Sequence, residues 1–173
     1  MRKYCLMMAI VILGFSCSGP QKGSSKNNLT DSIASMEDKL YNSRDVQVSI
    51  EEATNLIAMY KQFADEFPDD SLAPLYLFRA SDLSMNLQRP KETIALFDAL
   101  LENYPDYEKT PSVLFLKAFV YEDQLRDLDH ARMYYEEFIE KYPDSDFADD
   151  AEMSLKNLGK TPEELILEFE KNQ

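Results

Sequence analysis

Along most of the chain, apolar side chains return every three or four positions. Ile94, Phe97, Leu100 and Leu101 make one such stripe, and Met133, Tyr134, Phe138 and Ile139 another. That period places the stripe on one face of an α-helix. Proline frames the helices. Pro68, Pro105 and Pro143 fall just past helix ends, whereas Pro74, Pro90, Pro111 and Pro162 fall in first turns, where the missing N–H has no intrahelical partner to lose. Ser49 with Glu52, and Thr161 with Glu164, have the spacing of capping boxes. Gly159 suits a left-handed cap. The predicted elements are helix pairs at 30–42 with 49–66, 72–87 with 90–103, 111–125 with 128–141, and 146–158 with 162–171.

These pairs repeat. Phe67-Pro68-Asp69, Tyr104-Pro105-Asp106 and Tyr142-Pro143-Asp144 recur at spacings of 37 and 38. A slide of 38 lays Tyr76 on Leu114, Ala80 on Ala118, Leu83 on Tyr121, Phe97 on Tyr135 and Leu100 on Phe138. Apolar meets apolar and small meets small, which is the mark of a helical-repeat array whose units bury their faces against one another. Glycine agrees: of four in the chain, only Gly159 lies beyond residue 23. Folds built on phosphate-cradling loops use glycine repeatedly.

The formal net charge is -14. Such a surface repels DNA, RNA and anionic headgroups, so no nucleic-acid role is expected. No catalytic constellation emerges. His130 is the only histidine, which rules out a multi-histidine metal site. It stands beside Asp129 in the first turn of a helix and reads as a solvated surface residue. Asp144 and Asp146 open a calcium-loop-like run, but Ala148 and Asp149 stand at its fifth and sixth positions, where an oxygen ligand and glycine belong. Adjacent carboxylates such as Asp149-Asp150 point about 100° apart on a helix, and read as helix N-caps and dipole partners. No metal, cofactor or nucleotide is expected, and no enzyme activity.

The first residues read as an address. Arg2 and Lys3 precede an apolar run from Cys5 to Phe15. As a helix that run spans about 16 Å, half a bilayer core, which suits a signal peptide rather than a membrane span. It ends at Gly14-Phe15-Ser16-Cys17, which resembles the lipobox of bacterial lipoproteins; Ser16 and Cys17 carry the likeness. The resemblance implies a signal peptide at 1–16, lipidation of Cys17, and a cell-envelope location on the outer membrane, facing the periplasm. Residues 17–28, polar and rich in Gly, Ser, Lys and Asn, then read as anchor and flexible tether. The folded domain is expected over 29–171.

The repeat itself resembles the tetratricopeptide family. Ala118, Tyr121, Ala131, Tyr135 and Pro143 match its small, aromatic, small, aromatic and proline positions. The run Tyr134-Tyr135-Glu136-Glu137-Phe138 through Tyr142-Pro143-Asp144-Ser145 is similar to segments of the lipoprotein subunit of the outer-membrane β-barrel assembly machinery and of the Tol-Pal coordinator. Thr93 and Lys156 depart from the small-residue positions. The resemblance implies an all-α fold, a short right-handed solenoid of helix-turn-helix hairpins, and a concave groove lined by the first helix of each pair. Carried over by register, the groove residues are Leu77, Ser81, Ser84 and Met85, then Phe115, Phe119, Glu122 and Asp123, then Met153 and Asn157. Phe115 and Phe119 either line that groove or pack against neighbouring helices, with Leu165, Ile166 and Phe169 as a further cover. The expected role is a lipid-anchored scaffold for a partner protein in envelope biogenesis or maintenance. The alternative is a lipoprotein that binds a small ligand or glycan for nutrient uptake; the absence of Trp counts against it.

Overall fold

The computed structural model describes residues 22–42 and 49–171. The expected signal peptide, Cys17 and residues 18–21 of the tether lie outside the described residues. Among the described residues eight helices follow one another: α1 (Lys22–Asn42), α2 (Ile50–Glu66), α3 (Leu72–Asn86), α4 (Pro90–Asn103), α5 (Thr110–Asp123), α6 (Leu128–Lys141), α7 (Ala148–Asn157) and α8 (Pro162–Lys171). From α1 to α7 each helix packs on the next in sequence, which is a tetratricopeptide-like helical solenoid.

The repeat written in the sequence is repeated in the backbone. Phe67, Tyr104 and Tyr142, each preceding a proline, cap α2, α4 and α6 at φ/ψ of -132/56, -134/57 and -134/54. The proline ring forbids its predecessor the α region, so the helix stops there. Each cap N–H still reaches the carbonyl four residues back, at Phe63, Leu100 and Phe138. The next turn also recurs: Asp70, Tyr107 and Ser145 donate N–H bonds to the carbonyls of Phe67, Tyr104 and Tyr142. The turns inside the hairpins match as well. Gln88 and Arg126, 38 apart, sit at φ 56 and 55. Gly159 takes φ +80, as its position between α7 and α8 requires.

Thr161 and Glu164 form the full capping box, each accepting the other's N–H. Ser49 accepts from Glu52 N, and Asp127 caps α6 by accepting from His130 N.

α1 begins earlier than the apolar pattern indicates. Residues 22–28, expected as tether, are helical. Lys26 pairs with Asp70 at the start of α3, and the Thr30 and Ser32 hydroxyls bond back to the carbonyls of Lys26 and Asn28.

The core forms two clusters. One runs from α1 to α5 and holds Ile33, Leu56, Tyr60, Phe63, Ala80 and Phe97. The other joins α5, α6 and α7 through Leu114, Ala118, Tyr135, Phe138 and Ala151. α5 serves both, with Val113 and Val120 in the first and Leu114 and Ala118 in the second. A helix buried on two sides loses the one-sided stripe of a surface helix, which is why α5 reads as apolar nearly all round.

Candidate functional site

The expected groove divides sharply between its two ends. Leu77, Ser81 and Ser84 are buried, with Ser81 and Ser84 at zero exposure, so they do not line an open surface. The Ser81 hydroxyl donates to the carbonyl of Phe78, and Ser84 shares a hydrogen bond with Thr93 at 3.1 Å. That bond accounts for the departure at Thr93, a hydroxyl in a fully buried small-residue position. Met85 is half-buried against the first cluster, and its carbonyl accepts from Nε2 of Gln124 at 3.1 Å. Gln124, just past α5, thus reaches back to the last turn of α3.

Phe115 is likewise packed. Its ring meets those of Tyr135 at 5.8 Å, Phe138 at 5.6 Å and Phe147 at 5.1 Å, the last stacked. Glu122 accepts the hydroxyl of Tyr135 at 2.8 Å. Asn157 is half-buried, its Oδ1 accepting from Nζ of Lys160. What stays open is Phe119, 38% exposed, Met153, 62% exposed, and Asp123. Leu165, Ile166 and Leu167 on α8 are exposed too. Among the described residues no extensive helix packing involves α8. Apolar side chains are thus exposed on α7 and α8, as Tyr41 and Ile50 are on α1 and α2.

One arrangement escaped the sequence reading, although its signal was there: Arg79 and Lys117 are two cations 38 residues apart in apolar helices. Each docks its helix onto the hairpin before it. Arg79 on α3 meets Glu37 on α1 at 2.5 Å, and Glu37 also accepts the hydroxyl of Tyr60 on α2 at 2.6 Å. Lys117 on α5 meets Asp98 on α4 at 2.5 Å, and its ammonium lies 3.9 Å from the ring centre of Tyr134 on α6. At the third such position Leu155 packs into the second cluster instead.

The surroundings shift these groups. Burial lowers the affinity of Lys117 for its proton, but hydrogen bonding to Asp98 and Tyr134 outweighs it and holds the ammonium above the ordinary lysine value. Burial, and then hydrogen bonding to Glu37 and to Glu122, drives the Tyr60 and Tyr135 hydroxyls well above the ordinary tyrosine value.

His130 stacks on Tyr121 at 5.0 Å and shares a 2.7 Å hydrogen bond with Asp127, the residue that caps its helix. Among the described residues no group of three or more His, Cys, Asp or Glu could hold a metal ion, and no helix is long and apolar enough to cross a membrane. A surface groove of about 510 Å³ runs between α2 and α4, lined by Thr54, Ile57, Lys61, Gln62, Asp65 and Glu92 among others. It carries no aromatic side chain on which a sugar ring could stack.

Residues 76–107 and 112–145 match the tetratricopeptide repeat family. No curated protein and no solved structure matches the chain. The matched stretches fall on α3–α4 and α5–α6, within an all-helical tetratricopeptide-like solenoid.

Proposed function

We propose that this chain is an exported, lipid-anchored scaffold that holds a partner protein at the bacterial cell envelope through the open end of its solenoid. Tetratricopeptide repeats generally mediate protein–protein interaction. The observation that carries the reading is the contrast along the expected groove. Ser81 is sealed at zero exposure, whereas Phe119, its counterpart 38 residues on, is 38% exposed, with Met153 and Ile166 more open still. Apolar surface left uncovered in this way marks a binding site, and methionine adapts its shape to a partner.

The anchor rests on the sequence: a basic start, a short apolar run and Cys17 after Ser16. A lipid at Cys17 places the solenoid within reach of membrane-bound partners and raises its effective concentration there. The likeness of residues 134–145 to envelope proteins supports outer-membrane biogenesis or maintenance as the setting, with the domain facing the periplasm.

Crosslinking in intact cells, followed by capture of the chain, tests the reading. The wild type captures one partner, and Met153→Ser with Ile166→Ser loses it while keeping the helical circular dichroism. Cys17→Ala abolishes labelling by a palmitate analogue and releases the chain from the membrane. Capture that survives the paired substitution moves the interface elsewhere; a chain that stays unlabelled as wild type removes the anchor.

A further inference from the structure

We infer that α8 is the docking surface for a cationic amphipathic helix of the partner, seated as the next helix of the solenoid would be. The inference rests on the scaffold reading and specifies its partner.

Three observations lead to it. First, α8 is formed but lightly packed. Its capping box is complete, and Lys160 pairs with Glu168 across its first turns. Yet Leu165, Ile166 and Leu167 are exposed, and among the described residues no extensive helix packing involves it. A helix this short is marginal in water without an apolar partner.

Second, the chain shows how its helices dock. Where α3 and α5 join the preceding hairpin, a cation from the incoming helix lands on a carboxylate already in place, Arg79 on Glu37 and Lys117 on Asp98. α4, which receives Lys117, and α8 both open with proline. Counted from that proline, Ile166 stands where Ile94 stands and Glu170 where Asp98 stands. α8 therefore offers the apolar residue and the carboxylate of a receiving helix, and among the described residues no helix packs extensively there to supply the cation.

Third, the charge selects the occupant. Residues 110–171 carry 16 carboxylates against seven Lys and Arg. Glu163, Glu164 and Glu170 on α8 are exposed. A second copy would bring the same glutamates face to face, and an acidic helix would be repelled likewise. A helix with leucines on one face and lysines or arginines flanking them meets both the stripe and the charge.

The probe is a fluorescent Leu/Lys amphipathic peptide of about 18 residues, five helical turns. It is titrated with the full chain by anisotropy at low and high salt. A Leu/Glu version of the same helix and a scrambled Leu/Lys peptide serve as comparisons. The inference expects saturable binding of the amphipathic Leu/Lys helix alone. Affinity falls roughly tenfold or more in high salt, where exposed charges are screened, and to a similar degree in Ile166→Ser and in Glu170→Gln. Neither substitution touches the buried core, and unchanged circular dichroism confirms that each variant is folded. Equal binding of the scrambled peptide reduces the effect to net charge and overturns the inference. So does binding that ignores both substitutions, a preference for the Leu/Glu helix, or dimerisation of the chain through α8 in sedimentation. The scaffold reading fails separately, when the cellular capture yields no partner. If capture succeeds and the crosslinked segment is acidic or non-helical, the scaffold stands and this inference falls.

Discussion

The hydroxyl of Tyr135 donates a 2.8 Å hydrogen bond to Glu122, and one repeat earlier both halves of that pair have changed together, to Phe97 and Ser84. Tyr135 and Phe97 are both fully buried second-helix rings. Where the ring carries a hydroxyl, the first helix provides a carboxylate; where it does not, the carboxylate is gone and Ser84 bonds to Thr93 instead. A buried hydroxyl without an acceptor costs free energy, as does a half-buried carboxylate without a donor. Tyr135→Phe is expected to lower stability by about 1–2 kcal/mol in urea unfolding. Glu122→Ser costs less in the Tyr135→Phe background than in the wild type. Strict additivity of the two substitutions shows that the pair is not coupled.

Much of this architecture is legible in the chain. Phe67, Tyr104 and Tyr142 announce their helix ends because each precedes a proline, and the structure gives them nearly one backbone conformation. The start of α1 is not legible, because residues 22–28 have no apolar residue and are tied in by pairing such as Lys26 with Asp70, a residue far along the chain. Which of the expected groove residues are buried is not legible either. Register alone places Ser81 and Phe119 at one position, and it does not say which of them a following helix will cover. Arg79 and Lys117 share a spacing that the eye reads as two surface charges. Their meaning depends on Glu37 and Asp98, which only the packing brings to them.

High pH should loosen the fold. Tyr60, Tyr135 and Lys117 all hold their protons more tightly in the folded chain than their ordinary values allow. Their contribution is complete below the unfolded values, about 10 for tyrosine and 10.4 for lysine, and is lost as pH rises from there through the folded values. The unfolded chain then releases protons that the folded chain keeps, so unfolding becomes easier. Thermal melts should show a midpoint that falls steadily above about pH 10. Tyr60→Phe with Tyr135→Phe should flatten that fall. An unchanged slope in the double variant assigns the alkaline loss to other groups.

Gln88 is the residue in the αL conformation, at φ 56, just past α3. Its N–H bonds to the carbonyl of Met85, and that of Arg89 to Ser84, the two bonds of a Schellman cap. A side chain there costs about 1 kcal/mol that glycine does not incur. Gln88 is exposed, so its side chain can be removed without opening the core. Gln88→Gly should therefore stabilise the chain by about 0.5–1 kcal/mol, unlike most glycine substitutions near helices. Arg126→Gly tests the same conformation at φ 55 one repeat later. A loss of stability in both variants indicates that unfolded-state entropy outweighs the relief of strain.

Phe115 and Phe119 lie one helical turn apart on α5 and separate structure from recognition. The ring of Phe115 is half-buried among Tyr135, Phe138 and Phe147, so Phe115→Ala removes packing from the edge of the second cluster. The expected cost is about 3 kcal/mol, as for other packed aromatic rings. Phe119 is 38% exposed, and Phe119→Ser should change stability by no more than about 1 kcal/mol. Chemical denaturation of the two variants measures both, and partner capture then reads Phe119→Ser alone. Capture weakened at unchanged stability places Phe119 in the interface with Met153. A large stability loss in Phe119→Ser means that its buried part is core, and the interface then reduces to Met153 and α8.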